Sequence, residues 1–145
     1  MLTHVEQKIL PYTQKQMFDL VAAVDKYHEF APWCVASRIN KWDSDKTFYA
    51  DLVVGYSMFR ERFSSRVVLE PSERLTIEYM NGPLKHLTNE WKFKDNGDGS
   101  CTIDFSVTFE FKNMLLQAIA KKFFNEVVKR MVGSFETRAN KLYAP

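Results

Sequence analysis

The sequence predicts an α+β fold: one curved antiparallel sheet of seven strands covered by a long C-terminal helix. Three observations carry this reading. Residues Cys101 to Phe111 alternate strictly, apolar at every odd position and polar at every even one, as in a strand with one dry and one wet face. From Asn113 to about Leu142 the apolar spacing becomes helical, and a helix of about 30 residues spans about 45 Å, enough to lie across a whole sheet. Between the early helical segment and this strand, alternating stretches follow one another through short turn signals, which makes them antiparallel neighbours.

The elements follow in the order β-α-α-β6-α. Residues 2–10 read as a strand with Val5, Gln7 and Ile9 on one side, broken at Pro11-Tyr12-Thr13. Thr13 is a helix N-cap for residues 14–24, with Met17, Phe18, Leu20 and Val21 as the apolar stripe. Asp25 to Phe30 forms a second short helix, ended by Ala31-Pro32. Strands are expected over 34–42 and 47–54, joined by a turn at Asp43 to Lys46, with Phe48, Ala50, Leu52 and Val54 on one face. Gly55 to Met58 reads as an apolar loop tip, and a strand runs from Phe59 to Leu69. Leu75, Ile77 and Tyr79 mark the next strand, closed by Asn81-Gly82-Pro83. Leu87, Asn89, Trp91 and Phe93 mark another, and Asp95 to Gly99 is a turn. Every strand has an apolar face, and the C-terminal helix is the one element expected to cover them all.

The 145 residues are read as a single domain, 1–145, long enough for a real core. Twelve phenylalanines among them fill a large core or line a cavity. A net charge of +2 is too weak to indicate nucleic acid by itself but is compatible with an anionic membrane surface if clustered. Cys34 and Cys101 match no metal spacing and read as buried thiols of a reducing compartment. No apolar run is long enough to span a bilayer, and the first residues have no signal- or transit-peptide character. The chain is therefore expected to stay where it is made, or to be the processed form.

The sequence offers no positive sign of catalysis or of a metal site. His4, His28 and His86 pair with no nucleophile or carboxylate at a motif spacing, and His4 and His86 fall on the polar faces of their strands. Phosphate loop, zinc spacing and nucleophile elbow are all absent. Glu61 breaks a pattern: it lies between Phe59 and Phe63 on an inward face. A buried carboxylate is costly unless paired, so Glu61 bonds a polar ligand, pairs with an arginine, or turns to solvent at a twist. Arg60, Arg62 and Arg66 form a basic stripe on the opposite face.

The long helix carries an apolar side of Leu115, Ile119, Phe123, Phe124, Val127, Val128, Met131, Val132, Phe135, Ala139 and Leu142. Its basic side holds Lys121, Lys122, Lys129, Arg130 and Arg138. So broad a stripe, rich in Phe and Met, suits simple core packing or a deformable apolar pocket. Met114, Leu115 and Leu116 at the helix start, with Tyr56, Met58 and Phe59 at the loop tip, are candidate membrane contacts or self-contacts.

Several segments in order resemble the coenzyme Q-binding START-domain family. They are Leu10-Pro11-Tyr12-Thr13, Tyr27 to Cys34, Arg60-Glu61-Arg62-Phe63, Asn81-Gly82-Pro83-Leu84, Trp91-Lys92-Phe93, Phe105 to Phe111, Phe123 to Val128 and Phe135 to Ala139. The resemblance implies a helix-grip fold with a hydrophobic tunnel between sheet and helix. It implies a protein that is not an enzyme, has no catalytic cofactor, and binds ubiquinone or a similar isoprenoid lipid as a chaperone for respiratory electron transport. Respiratory-chain complexes are the implied recipients. Eukaryotic members resemble peripheral proteins of the matrix side of the mitochondrial inner membrane. A chain that starts at the domain points to the bacterial cytoplasm and a peripheral place on the inner membrane. A related bacterial branch is the ribosome-association toxin, whose partner would be the large ribosomal subunit. A polyketide-cyclase-type enzyme on the same fold is a third reading.

On this reading the lipid tail lies between a sheet face and a helix face. The sheet contributes Leu52, Phe63, Val67, Ile77, Tyr79, Trp91, Phe105, Val107 and Phe109, and the helix Phe124, Val127, Val128, Met131 and Phe135. Glu61, Tyr79 and Asn89 meet the quinone oxygens, and Trp33 braces the tunnel entrance.

Overall fold

The computed structural model of the chain describes residues 1–56 and 58–145, with the backbone alone at Tyr56. Strand β1 is Leu2–Leu10, helix α1 Gln14–Ala22, and a 3₁₀ helix covers Val24–Glu29. Strands β2 (Cys34–Ser44), β3 (Thr47–Tyr56), β4 (Phe59–Glu70), β5 (Arg74–Asn81), β6 (Leu84–Asp95) and β7 (Cys101–Phe111) follow, then helix α2, Met114–Tyr143. Among the described residues the strands form one antiparallel sheet in the order β1-β7-β6-β5-β4-β3-β2. The α+β fold expected from the sequence, a seven-stranded sheet with a long C-terminal helix, is the one observed.

Local chemistry sets the boundaries. The Thr13 hydroxyl accepts from the Gln16 backbone N–H while the Gln16 side chain accepts from the Thr13 N–H, a complete capping box for α1. Asn113 Oδ1 accepts from the N–H groups of Leu115 and Leu116 and so starts α2 immediately after β7. The β2–β3 hairpin is tighter than expected, because β2 continues through Asp43 and Ser44 to a turn at Asp45-Lys46. Strand β3 likewise takes in Gly55 and Tyr56 of the expected loop tip. The segment after α1 is a 3₁₀ helix, and α1 itself stops at Ala22.

Three expectations are corrected. The cover is shared: α1 buries Met17, Phe18, Leu20 and Val21 on one end of the sheet, with Phe18 edge-on to Phe93 at 5.7 Å, so α2 need not cover every strand. The buried stripe of α2 is narrow, consisting of Phe124, Val128, Val132, Phe135 and Ala139, while Leu115, Ile119, Phe123, Val127 and Leu142 are exposed. On β1 the inward set is the even one. His4 lies opposite Val107 and Glu6 opposite Phe105, the His4 side chain is only 9% exposed, and Val5 and Ile9 point outward. The strongly apolar odd face of β7 sets the phase of its neighbour.

Candidate functional site: a sheet closed at one end and open at the other

The inward face of the sheet changes character along its strands. At one end Phe48, Ala50, Val67, Leu75, Trp91, Phe93 and Phe105 are buried. Trp91 packs against Phe105 (centroids 4.7 Å) and Phe135 (4.9 Å), and Phe135 also meets Tyr27 and Phe30 edge-on at 5.2 and 5.1 Å. This aromatic knot, with α1, the 3₁₀ helix and the C-terminal half of α2, fills the closed end. The cavity left between β1, β7 and α2 is about 10 Å³, room for about one water.

Towards the other end the same faces are half-buried. The residues in question are Leu52 and Val54 on β3, Phe59, Glu61, Phe63 and Ser65 on β4, Ile77 and Tyr79 on β5, Leu87 and Asn89 on β6, and Phe109 on β7. The register brings many of them face to face, with Leu52 opposite Phe63, Val54 opposite Glu61, Ser65 opposite Tyr79, Ile77 opposite Asn89 and Leu87 opposite Phe109. The rim here is the β3–β4 tip, the β5–β6 turn and the β7–α2 joint, where the Lys112 N–H donates to the Pro83 carbonyl. Met58 is 97% and Leu115 69% exposed on that rim, with Met114 exposed beside it.

The sequence-predicted lining residues thus divide into two groups. Val67, Trp91, Phe105, Val107, Phe124, Val128 and Phe135 are core. Leu52, Glu61, Phe63, Ile77, Tyr79, Asn89, Phe109 and Met131 are half-buried around the open end. Val127, 39% exposed, lies off the buried stripe. Ile119, Phe123 and Val127 succeed one another at four-residue spacing, and Phe123 is two turns from Arg130 on the same flank. Of the rim residues, Phe59 and Leu116 are half-buried; the Tyr56 side chain lies outside the described residues. Leu87, Val54 and Ser65 share the open face but are missing from the expected lining, although their alternation with its residues carries that signal.

The polar groups differ in how far they are committed. Asn89 Nδ2 donates to the Ser106 carbonyl at 2.8 Å, leaving Oδ1 as an acceptor. The Tyr79 hydroxyl accepts from the Leu84 N–H at 3.0 Å and can still donate its proton. A Cβ on Gly82, at φ 150°, would come within 2.8 Å of that hydroxyl, so glycine lets the turn close over the phenol. Glu61 makes no ion pair within 4.0 Å among the described residues. Arg66 on the opposite face is paired with Glu78 at 2.7 Å.

Trp33 fastens the 3₁₀ segment to both layers. Its backbone has φ 65°, uncommon for a bulky side chain; its carbonyl accepts from the Gly55 N–H at 2.9 Å, and its ring lies under the Arg130 guanidinium at 5.6 Å. Arg138 extends this clasp, pairing with Glu29 at 2.7 Å and covering the Phe30 ring. That pair holds the Glu29 carboxyl below the usual carboxylate range. Both cysteines are free thiols; Cys101 is buried as expected, Cys34 is only half-buried, and desolvation pushes both thiols up. Among the described residues no His, Cys, Asp and Glu cluster fits a metal ion, and no helix is long and apolar enough to cross a membrane.

A sheet gripping a long helix, with an apolar face left open at one end, defines a START/polyketide-cyclase-like protein. Residues 10–136 match the family model described as polyketide cyclase / dehydrase and lipid transport, and the chain belongs to that family. It is 35% identical over 144 residues to the ribosome association toxin RatA of Pseudomonas aeruginosa, covering 99% of each chain. It is 37% identical over 146 residues to the mitochondrial coenzyme Q-binding protein COQ10 homolog B of Xenopus laevis, covering 98% of this chain and 59% of that one. Among solved structures, an 18 kDa protein from Caulobacter crescentus shares 34% identity, full coverage of both chains and a TM-score of 0.80. The Zhui aromatase/cyclase from Streptomyces shares the fold at 11% identity, with a TM-score of 0.84 over 99% of this chain and 96% of that one.

Proposed function

We propose that residues 1–145 form a single lipid-binding unit. It takes up ubiquinone, or an isoprenoid lipid of like chemistry, at the open end and carries it without chemical change. The observation that supports this reading most is the half-buried apolar face of β3–β7 beside an exposed apolar flank of α2. Each buried CH₂ contributes about 0.8 kcal/mol, so a few isoprene units laid on Leu52, Phe63, Ile77, Leu87, Phe109 and Met131 supply affinity without many polar contacts. The Tyr79 hydroxyl, with a proton still to donate, and the Asn89 Oδ1, free to accept, would meet the head group. Exposed apolar Met58, Met114 and Leu115, with exposed Arg60, Arg62 and Lys112 close by in sequence, suit transient contact with an anionic bilayer. That contact gives a peripheral membrane location, from which the lipid would pass to respiratory-chain complexes. The coenzyme Q-binding relatives favour the same ligand.

A second reading rests on a relative matched over 99% of its length, whose name is that of a ribosome association toxin. Here the basic residues Lys121, Lys122, Lys129 and Arg130 of α2 would meet ribosomal RNA, and binding would weaken steeply with salt. Organic extraction of the natively purified protein, followed by mass spectrometry, separates the two. The carrier reading expects quinone approaching one per chain. An empty protein that co-sediments with ribosomal subunits at low salt would replace it with the second.

A further inference from the structure

The two edges of the sheet are built differently. Strand β2 is bulged three times, between Cys34 and Ala36, Ile39 and Lys41, and Trp42 and Ser44. It is also strapped by the 3₁₀ segment, where the Ser37 hydroxyl donates to the Asp25 carbonyl at 3.1 Å. Such features blunt an edge against pairing. Strand β1 has none of them. It pairs with β7 in unbroken register from Leu2 to Leu10, and among the described residues its other edge has no backbone hydrogen-bond partner. Its outward face presents Val5 and Ile9, 72% and 67% exposed, where an unpartnered edge strand usually carries polar groups.

We propose that the free edge of β1 docks a second copy of this chain, by antiparallel pairing about a two-fold axis through Gln7. In that register Val5 faces Ile9 of the second copy on the outer side, and Ile9 faces its Val5. On the inner side Glu6 faces Lys8 and Lys8 faces Glu6, so both charged pairs are of opposite sign. Directly opposed apolar and opposite-charge pairs are the units that stabilise strand pairing. Sliding the axis to Glu6 sets two carboxylates against each other and Val5 against Gln7, losing both advantages. Inward-pointing charges on an edge repel an arbitrary strand; here they are self-complementary, which selects a second copy over other partners. The result is an isologous dimer with a continuous sheet across the axis. Because few residues make the contact, the dimer forms reversibly with concentration. Within each copy Glu6 also links to His4 at 2.9 Å, and Lys8 to Glu136 at 2.9 Å and more loosely to Glu6 at 3.8 Å, so the cross-axis pairs extend an existing ion network.

Sedimentation velocity over a concentration series tests this, alongside two variants of the full chain. Wild type is expected to shift from monomer to dimer as concentration rises. The doubly substituted Val5→Lys/Ile9→Lys chain, changed only at exposed positions, should keep its circular dichroism spectrum and stay monomeric. Opposed residues in an antiparallel pair have Cα atoms about 4.5–5.5 Å apart, within disulfide reach. Gln7→Cys should therefore oxidise to a dimer linked through position 7 in both chains, as read by peptide mapping. A wild type that stays monomeric throughout overturns the proposal. So does a dimer that survives Val5→Lys/Ile9→Lys and leaves Gln7→Cys unlinked.

Discussion

The two ends of the sheet share the same kind of inward strand face, buried at one end and, on the proposed reading, left for a ligand at the other. At the closed end, aromatic residues meet one another: Trp91, Phe105, Phe135 and Tyr27 interlock and the cavity beside them is about 10 Å³. At the open end the inward residues of β3 to β7 stay half-buried, and α2 passes over with Phe123 and Val127 exposed. One end is a closed aromatic core; at the other, Leu52, Ile77, Leu87, Phe109 and Met131 pack against that core, Phe109 on Phe124 at 5.1 Å, and keep part of their apolar surface exposed. Apolar residues on a predicted inward face are therefore not equivalent. What covers them decides whether they are core or binding surface.

The largest expected effect lies in the closed end. Phe135→Ala removes a ring that touches Tyr27, Phe30 and Trp91 and should cost about 3–5 kcal/mol in urea unfolding. Phe63→Lys, opposite Leu52 in the open end, should do the reverse. Titration with a short-chain quinone should show binding weakened by about tenfold or more, as expected for about 1.4 kcal/mol or more of lost apolar contact, with a much smaller change in the unfolding midpoint. If Phe63→Lys unfolds the protein as Phe135→Ala does, the two ends are one core and the comparison fails.

A smaller effect is expected at the start of α1, which covers only the closed end. Thr13→Ala breaks the capping box and should lower stability by about 1 kcal/mol while leaving quinone affinity unchanged. The smallest is a pH effect at the Glu29–Arg138 clasp. The hydrogen bond from Arg138 depresses the Glu29 carboxyl in the folded state. Its stabilising contribution is therefore present above the ordinary carboxylate pKa and lost as pH falls through the lowered folded value. Glu29→Gln should lie slightly below wild type in stability at neutral pH, and the two curves should converge in acid.

Much of the fold was legible because the strongest signals were local. The alternation of β7, the helical spacing after Asn113 and the turn at Asp95 to Gly99 each belong to one segment. The site was less so. On β1 both alternating sets contain apolar residues, Val5 and Ile9 in one and Leu2 and Leu10 in the other, and only pairing with β7 decides which points in. On α2 a four-residue spacing drifts around the helix, so Leu115, Ile119, Phe123 and Val127 look continuous with Val128 and Phe135 in sequence yet leave the sheet in space. Trp33 carries no local signal of its left-handed backbone; that follows from its bond to Gly55 and its stacking under Arg130.

The most direct test of the open-end account is photo-crosslinking with a quinone analogue that carries a diazirine on its isoprenoid tail, followed by peptide mapping of the adducts. The account predicts labelling on β3 and β4 near Leu52 and Phe63, on β5 and β6 near Ile77 and Leu87, and on α2 from Ile119 to Met131. Labelling centred on Met17, Trp91 and Phe135, or none that free quinone can compete away, would contradict it.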